Sequence, residues 1–372
     1  MAGQYSETET QLMGNSFYET RQNNSRKILD SCPLDGILFV SLENIRYLCG
    51  FTGSDGALVI TQKDSFFLTD SRYWTQADEE VKGARVIHYK KKMEGIFSLL
   101  SDLKLGEVGF ESAFLSFSAY QFLTERFADR TRLVPLENDL KNLRAVKDPP
   151  ELTLLRRAID ISSNAFSKAT EMLKEGVVER EVALEMESLM KRSGAEAIGF
   201  DIIIASGKRS ALPHGKASDK RIEKGDFILI DFGSGFQGYH SDQTRTVVCG
   251  SPSPEQRKIY QIVKEAHDKA IEKVQPGTPI REVDGAARDH IRNQGYGEYF
   301  GHGTGHGIGL AVHEDPAVNG ENKGLLQEGM VLTIEPGIYL PDWGGVRIED
   351  MVLVTHHGVE VMTYLPGELR VI

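Results

Sequence analysis

Over the first 140 or so residues, short apolar runs alternate with helix-period patterns. Gly36–Val40, Ala57–Ile60, Ser65–Thr69 and Ala84–His88 read as strands, and Glu94–Leu103 and Ala119–Phe127 as helices. That alternation predicts a small α/β domain. Pro149 and Pro150 then follow the charged stretch from Leu143 to Asp148 and break any continuing element, which places a domain boundary there. Beyond it, Leu155, Ile159, Phe166, Ala169 and Leu173 recur on one helical face that ends at Gly176. A second helix carries Val182, Met186, Leu189 and Met190, with Gly194 as its terminating glycine.

The pattern then repeats. Gly176 to Val182 aligns with Gly277 to Val283, an offset of 101, and Gly194 meets Gly295 at the same offset. Further on, Lys224 to Gly233 aligns with Glu328 to Gly337, an offset of 104. Each half is two helices followed by strands, and each ends a strand in one carboxylate, Asp231 or Glu335.

Asp231 closes the apolar run Phe227–Ile230 and shares a strand face with Leu229 and Phe227. An unpaired carboxylate facing a core is very costly, so something positive must meet it. After a glycine-rich turn, Asp242 opens a second strand, and a hairpin would set the two acids side by side. Adjacent carboxylates repel unless one is protonated or a cation lies between them. The second half repeats the arrangement with Glu335, a turn through Pro341, Asp342, Gly344 and Gly345, and Glu349. Packed about a pseudo-twofold axis, the halves bring four carboxylates together. Between the pairs runs Gly301 to Gly309, and His302, His306 and His313 fall within twelve residues. Alone, such a glycine-histidine segment reads as a flexible loop; beside four converging acids it supplies a histidine ligand. Oxygen-rich ligands with one imidazole suit Mn²⁺, Co²⁺ or Zn²⁺, and bridging carboxylates suit a pair of ions ~3.5–4 Å apart.

Composition narrows the partners. With 40% hydrophobic and 26% charged residues, the chain can bury a sizeable core. A net charge of -11 and the lack of a basic stripe argue against nucleic acid. Cys32, Cys49 and Cys249 are scattered and form no CxxC pair, so no disulfide framework is expected. The polar, acidic segment from Met1 to about Gln22 lacks the features of a signal peptide, and no apolar stretch reaches membrane-spanning length. A cytoplasmic protein with no membrane partner is expected.

The segments IDFGSGFQGYHSDQTRT, GHGTGHGIGLAVHED, TIEPGIY and GVRIEDMVLV resemble the pita-bread metallopeptidases, the family of methionine aminopeptidase, aminopeptidase P and prolidase. NIRYLCGFTGSDGALVI and LTDSRYW resemble the creatinase-type N-terminal domain of aminopeptidase P and prolidase. The resemblance implies an α/β N-terminal creatinase-like domain at 17–145. It implies an α+β C-terminal pita-bread domain at 150–372, with the internal pseudo-twofold repeat. Asp231 would chelate one of two divalent ions, Asp242 and Glu349 would bridge both, and His306 and Glu335 would complete the other. A water or hydroxide bridging the ions would attack the scissile carbonyl, with Glu335 as proton shuttle. His214, His302 and His313 would contact substrate or stabilise the tetrahedral oxyanion, and Arg347 and Tyr339 would support the ligands from behind. Mn²⁺ is the expected metal, with Co²⁺ or Zn²⁺ as alternatives, and a homodimer the expected assembly. The N-terminal domain would shape the peptide-binding side of the cleft.

The resemblance implies cleavage of an Xaa-Pro bond. A dipeptidase must read the carboxylate that directly follows proline, and in prolidases an arginine commonly follows the proline of VHEDP. Here that residue is Ala317, so an aminopeptidase removing the first residue before a second-position proline is expected, with prolidase as the alternative. A metal-free creatinase-type hydrolase and a non-catalytic binding module are remote alternatives, since both lack the ligand set.

Overall fold

The computed structural model describes the backbone of residues 7–128 and 130–372, with side chains from residue 16 onward. Residues 1–6, the start of the polar N-terminal segment, and Asp129 lie outside the described residues. The chain forms two compact units, 1–143 and 144–372.

The first unit runs α1 (Glu7–Ser31), β1 (Gly36–Phe39), α2 (Leu42–Cys49), β2 (Ala57–Thr61), β3 (Ser65–Thr69), α3 (Trp74–Glu80), β4 (Arg85–His88), α4 (Lys92–Asp102), β5 (Glu107–Glu111), α5 (Phe117–Phe127), β6 (Arg132–Leu136) and α6 (Asn138–Lys141). Its six strands form one sheet in the order β4-β3-β2-β1-β5-β6. The β1–β2 and β2–β3 pairs are antiparallel and the rest parallel. Leu38, Val59, Leu68 and Val108 pack from the sheet against Ile96, Leu100, Leu123 and Phe127 of α4 and α5. The alternation in the sequence found β1–β4, α4 and α5. It did not reveal α2, which is only eight residues long and is held by capping: Ser41 Oγ accepts from the Asn44 N–H, and the buried Glu111 accepts from the Ser41 N–H at 2.7 Å.

The second unit opens on α7 (Pro149–Ala169) and α8 (Glu179–Arg192). The two prolines start α7 rather than merely breaking the chain. They occupy its first turn, where no N–H is needed, behind a capping box between Asp148 and Glu151. Leu173 falls past the end of α7, although it joins the same buried cluster. Then come β7 (Ala197–Ile198), β8 (Ile203–Ser206), β9 (Phe227–Phe232), β10 (Ser234–Phe236), β11 (Tyr239–His240) and β12 (Gln243–Val248). The second half repeats the plan with α9 (Pro254–Glu272), α10 (Ile280–Asn293), β13 (Gly305–Gly307), β14 (Glu314–Val318), β15 (Val331–Ile334), β16 (Gly337–Leu340), β17 (Gly344–Arg347) and β18 (Asp350–Thr355); β19 (Gly358–Val361) and β20 (Arg370–Val371) follow.

Strands β11-β10-β7 and β16-β17 form two small sheets, and the two larger sheets order β20-β12-β9-β8 and β14-β13-β15-β18-β19. A single antiparallel bridge, Thr244 to Glu349, joins them. Helices α7 and α8 cover the first sheet through Phe166, Val182 and Met186. Helices α9 and α10 cover the second through Val263, Val283 and Ala287. The line where the two halves meet is therefore where the ends of β9, β12, β15 and β18 converge.

Candidate active site

Asp231 lies within β9, and its ladder partner on β12 is Thr244. Asp242 sits one residue before β12, so the two acids are diagonal neighbours on one face rather than directly opposite. In the second half, Ile334 pairs with Asp350, which sets Glu335 and Glu349 opposite each other just past the strand ends. All four carboxylates line one cavity of about 650 Å³, together with His214, His302, His306, His313 and Arg347. Tyr339 does not line it. Its hydroxyl lies behind, accepting from Arg347 Nη1 at 2.8 Å and meeting His302 Nε2 at 2.9 Å.

His306 is carried on β13, not on a flexible loop. The glycines beside it are packing requirements: a Cβ on Gly305 would lie 1.9 Å from the Thr333 carbonyl oxygen, and one on Gly307 2.3 Å from that of Asp315. With Nδ1 hydrogen-bonded to the Gly307 carbonyl at 3.0 Å, His306 turns the lone pair of Nε2 toward carboxylate oxygens: Glu335 Oε1 at 3.4 Å and Asp242 Oδ2 at 3.6 Å. Burial holds His306 down to about 4, so the ring stays neutral. Below it, Asp284 on α10 accepts from the Thr304 backbone and hydroxyl, and Arg288 donates to the carbonyls of Phe300 and His302. These two residues fix the 300–304 segment. Sequence reasoning missed them, although an Asp-Arg pair four residues apart on a helix was a legible signal.

The electrostatics are those of a site built for a cation. Burial raises Asp242 well above the usual carboxylate range, and Glu349, Asp231 and Glu335 add to it. Burial likewise raises Glu349, helped by Glu335 and Asp231. Burial pushes Glu335 up to about 7, with Arg347 opposing. Asp231 Oδ2 is held by Arg347 Nη2 at 2.5 Å, while Oδ1 is buried with no hydrogen-bond partner. One ligand atom each from Asp242, His306 and Glu349 lies within 4.8 Å of the others. An imidazole lone pair aimed at carboxylates, with an orphaned carboxylate oxygen nearby, fits a divalent-metal site.

His214 and His313 open into the same cavity, and the His313 ring packs on His306 at 4.4 Å between centroids. His302 Nδ1 is bonded to the Gly303 carbonyl at 2.8 Å. Its Nε2 is thus the acceptor for the Tyr339 hydroxyl, and burial keeps the ring neutral, down to about 4. The adjacent pair His356 and His357 lies apart, with His356 bonded to Glu328 on the surface.

Two like halves closing on a carboxylate-lined cavity make the pita-bread fold, the scaffold of a class of metal-dependent peptidases. Residues 153–356 match the model of metallopeptidase family M24, and residues 21–146 match the creatinase/prolidase N-terminal domain. The chain belongs to metallopeptidase family M24. It is 41% identical to an Xaa-Pro dipeptidase of Pyrococcus horikoshii over 92% of this chain and 96% of that one. Among solved structures, an Xaa-Pro dipeptidase from Bacillus anthracis superposes with a TM-score of 0.92 at 40% identity, covering 95% of this chain and all of the other. An X-Pro aminopeptidase from Thermotoga maritima gives 0.86 at 38% identity, covering 94% and 99%.

Proposed function

We propose that this chain is a metal-dependent Xaa-Pro dipeptidase, hydrolysing the bond before a C-terminal proline. The observation that carries the metal dependence is the His306 lone pair held among the carboxylates of Asp242, Glu335 and Glu349. Two divalent ions, Mn²⁺ foremost with Co²⁺ or Zn²⁺ as alternatives, would be held by Asp231, Asp242, His306, Glu335 and Glu349. When bound, they would polarise the scissile carbonyl and make water acidic enough to attack it near neutral pH. Glu335 would take the proton of the attacking water on its carboxylate and return it to the departing proline nitrogen. His214 and His313, both open to the cavity, donate to the carbonyl oxygen as it gains charge. His302 orients the Tyr339 hydroxyl, which keeps Arg347 on Asp231. The expected assembly remains a homodimer, which sedimentation would test.

The dipeptidase reading replaces the aminopeptidase expected from Ala317. The relatives favour it, and Ala317, exposed on β14, is not among the residues that line the cavity. The absence of an arginine there leaves the cavity's own cations in place. The test is a panel of Ala-Pro, Ala-Pro-Ala-Ala and Ala-Ala-Ala with added Mn²⁺. Preferred turnover of Ala-Pro supports the reading, and preferred turnover of Ala-Pro-Ala-Ala restores the aminopeptidase.

A further inference from the structure

A dipeptide ending in proline presents a free carboxylate one residue beyond the scissile carbonyl, and a site that selects it needs a cation with donors to spare. Two long cationic side chains line the cavity, Arg347 and Lys216. Arg347 is buried and committed: Nε donates to Thr244 Oγ1, Nη1 to Tyr339 and the Pro213 carbonyl, and Nη2 to Asp231. Lys216 is mostly exposed and donates one bond, to Asp201 at 2.5 Å. Asp201 is exposed as well, and exposed ion pairs are weak. An ammonium has three donors, so a substrate carboxylate can share or displace that contact.

The backbone sets where Lys216 points. Lys216 pairs antiparallel with Ile203, Ile203 with Asp231, and Asp231 with Thr244. Directly opposed residues in adjacent strands face the same side of a sheet, so Lys216, Ile203 and Asp231 form a row across the cavity floor. The Lys216 carbonyl is also fixed by Arg209 Nη2 at 2.6 Å. Two strand spacings, each ~4.8 Å, separate the backbones of Lys216 and Asp231. One proline residue spans at most ~3.6 Å, and the four-carbon lysine stem covers the remainder. Ile203 between them offers an apolar surface to the proline ring.

We infer that Lys216 is the specificity residue that receives the C-terminal carboxylate of the dipeptide. The inference rests on the dipeptidase reading above. The experiment compares kcat/KM for Ala-Pro with that for Ala-Pro amide in the Mn²⁺-loaded wild type and in Lys216→Ala, Lys216→Arg and Asp201→Asn. A charge-assisted contact is worth roughly 10-fold or more in binding. Wild type is therefore expected to favour the acid. Lys216→Ala should cut the acid-to-amide ratio by about 10-fold or more, chiefly through KM for Ala-Pro, whereas Lys216→Arg retains the preference. Asp201→Asn, which removes the competing carboxylate, lowers KM for Ala-Pro. If wild type favours the acid and Lys216→Ala favours it equally, the inference falls and the dipeptidase reading stands. If wild type shows no preference for the acid, the dipeptidase reading itself falls.

Discussion

The two halves of the catalytic unit place unlike residues at equivalent points, and that difference makes the site. Asp231 and Glu335 end equivalent strands. Opposite them, by register, stand Thr244 and Glu349, which meet in the bridge between the sheets, where Thr244 Oγ1 donates to Glu349 at 2.7 Å. Two residues earlier in the chain are Asp242, just before β12, and Arg347, the last residue of β17. Their equivalence shows in reciprocal contacts: the Asp242 N–H reaches Met351 Sδ at 3.3 Å, and the Arg347 N–H reaches Thr246 Oγ1 at 3.2 Å. The neighbouring strand differs as well. Ser206 opposes Ile228 and Gly307 opposes Leu332, which puts His306 where the first half has the buried Ala205. In the first half, then, a carboxylate meets a guanidinium and its charge is answered within the protein. In the second half, Glu335 and Glu349 meet the Asp242 carboxylate and an imidazole lone pair, and either protonation or an added cation must answer them.

The largest test of that asymmetry is to remove its ligands. His306→Ala or Asp242→Asn should lower kcat/KM by roughly 1000-fold, since several kcal/mol of charge stabilisation disappear, with the circular dichroism spectrum retained. Activity within a few-fold of wild type in either variant would mean that the cluster of His306 and the acids around it does not carry the ions.

The metal-free protein should report the same strain through pH. Glu335 is raised from 4.5 to about 7, chiefly by burial, so the folded chain holds its proton where the unfolded chain has lost it. Its stabilising contribution is complete below about pH 4.5 and disappears as pH rises through about 7, a change on the order of 3 kcal/mol. Asp242 and Glu349 are raised in the same direction, first by burial. Neutral His302 and His306 work in the opposite direction only up to about pH 6.5, so the Tm of chelator-stripped protein should fall between about pH 6.5 and pH 8, and bound Mn²⁺ should flatten the curve. A stripped protein whose Tm rises across that range would contradict the assignment.

A finer distinction lies between the two ions. Asp231 must share its carboxylate with Arg347, whereas among the described residues Asp242 and His306 form no ion pair with an arginine or lysine. The ion on the His306 side should bind more tightly, by about 10-fold or more in Kd, or about 1.4 kcal/mol. Calorimetric titration should show two steps, with His306→Ala abolishing the tighter and Asp231→Asn the weaker. The smallest effect belongs to Tyr339→Phe. It unlinks Arg347 from His302 at a cost of about 1 kcal/mol, measurable as a several-fold drop in kcat.

Much of this was legible in the chain because the repeat brings acids into coincidence: Asp231 with Glu335, at the ends of apolar runs, could be paired without a structure. What lay beyond reach depended on register. The offset of 101 at the helices grows to 104 at Asp231 and Glu335, and Asp242 corresponds to Arg347 at 105, so the pairing of an acid with an arginine stayed hidden. Lys216 drew no notice because its meaning comes from the ladder through Ile203 to Asp231, not from neighbours in sequence. Ala317 drew notice for the arginine it lacks, but nothing in the sequence shows that it stands exposed on β14 and outside the lining of the cavity. The helices α1 and α2 were missed for opposite reasons, one being polar along its length with weak periodicity and the other too short for a period to register.

If divalent ions satisfy the charges that Asp242, Glu335 and Glu349 bring together around His306, Xaa-Pro hydrolysis follows from their binding. The most direct measurement titrates Mn²⁺ into stripped protein while counting bound ions and following Ala-Pro hydrolysis in the same samples. The expected result is no hydrolysis without ions, activity that rises with occupancy and levels at two ions per chain, and loss of the tighter ion together with activity in His306→Ala. Hydrolysis of Ala-Pro by protein free of divalent ions, or full activity in a chain that has lost the His306 imidazole, would contradict it.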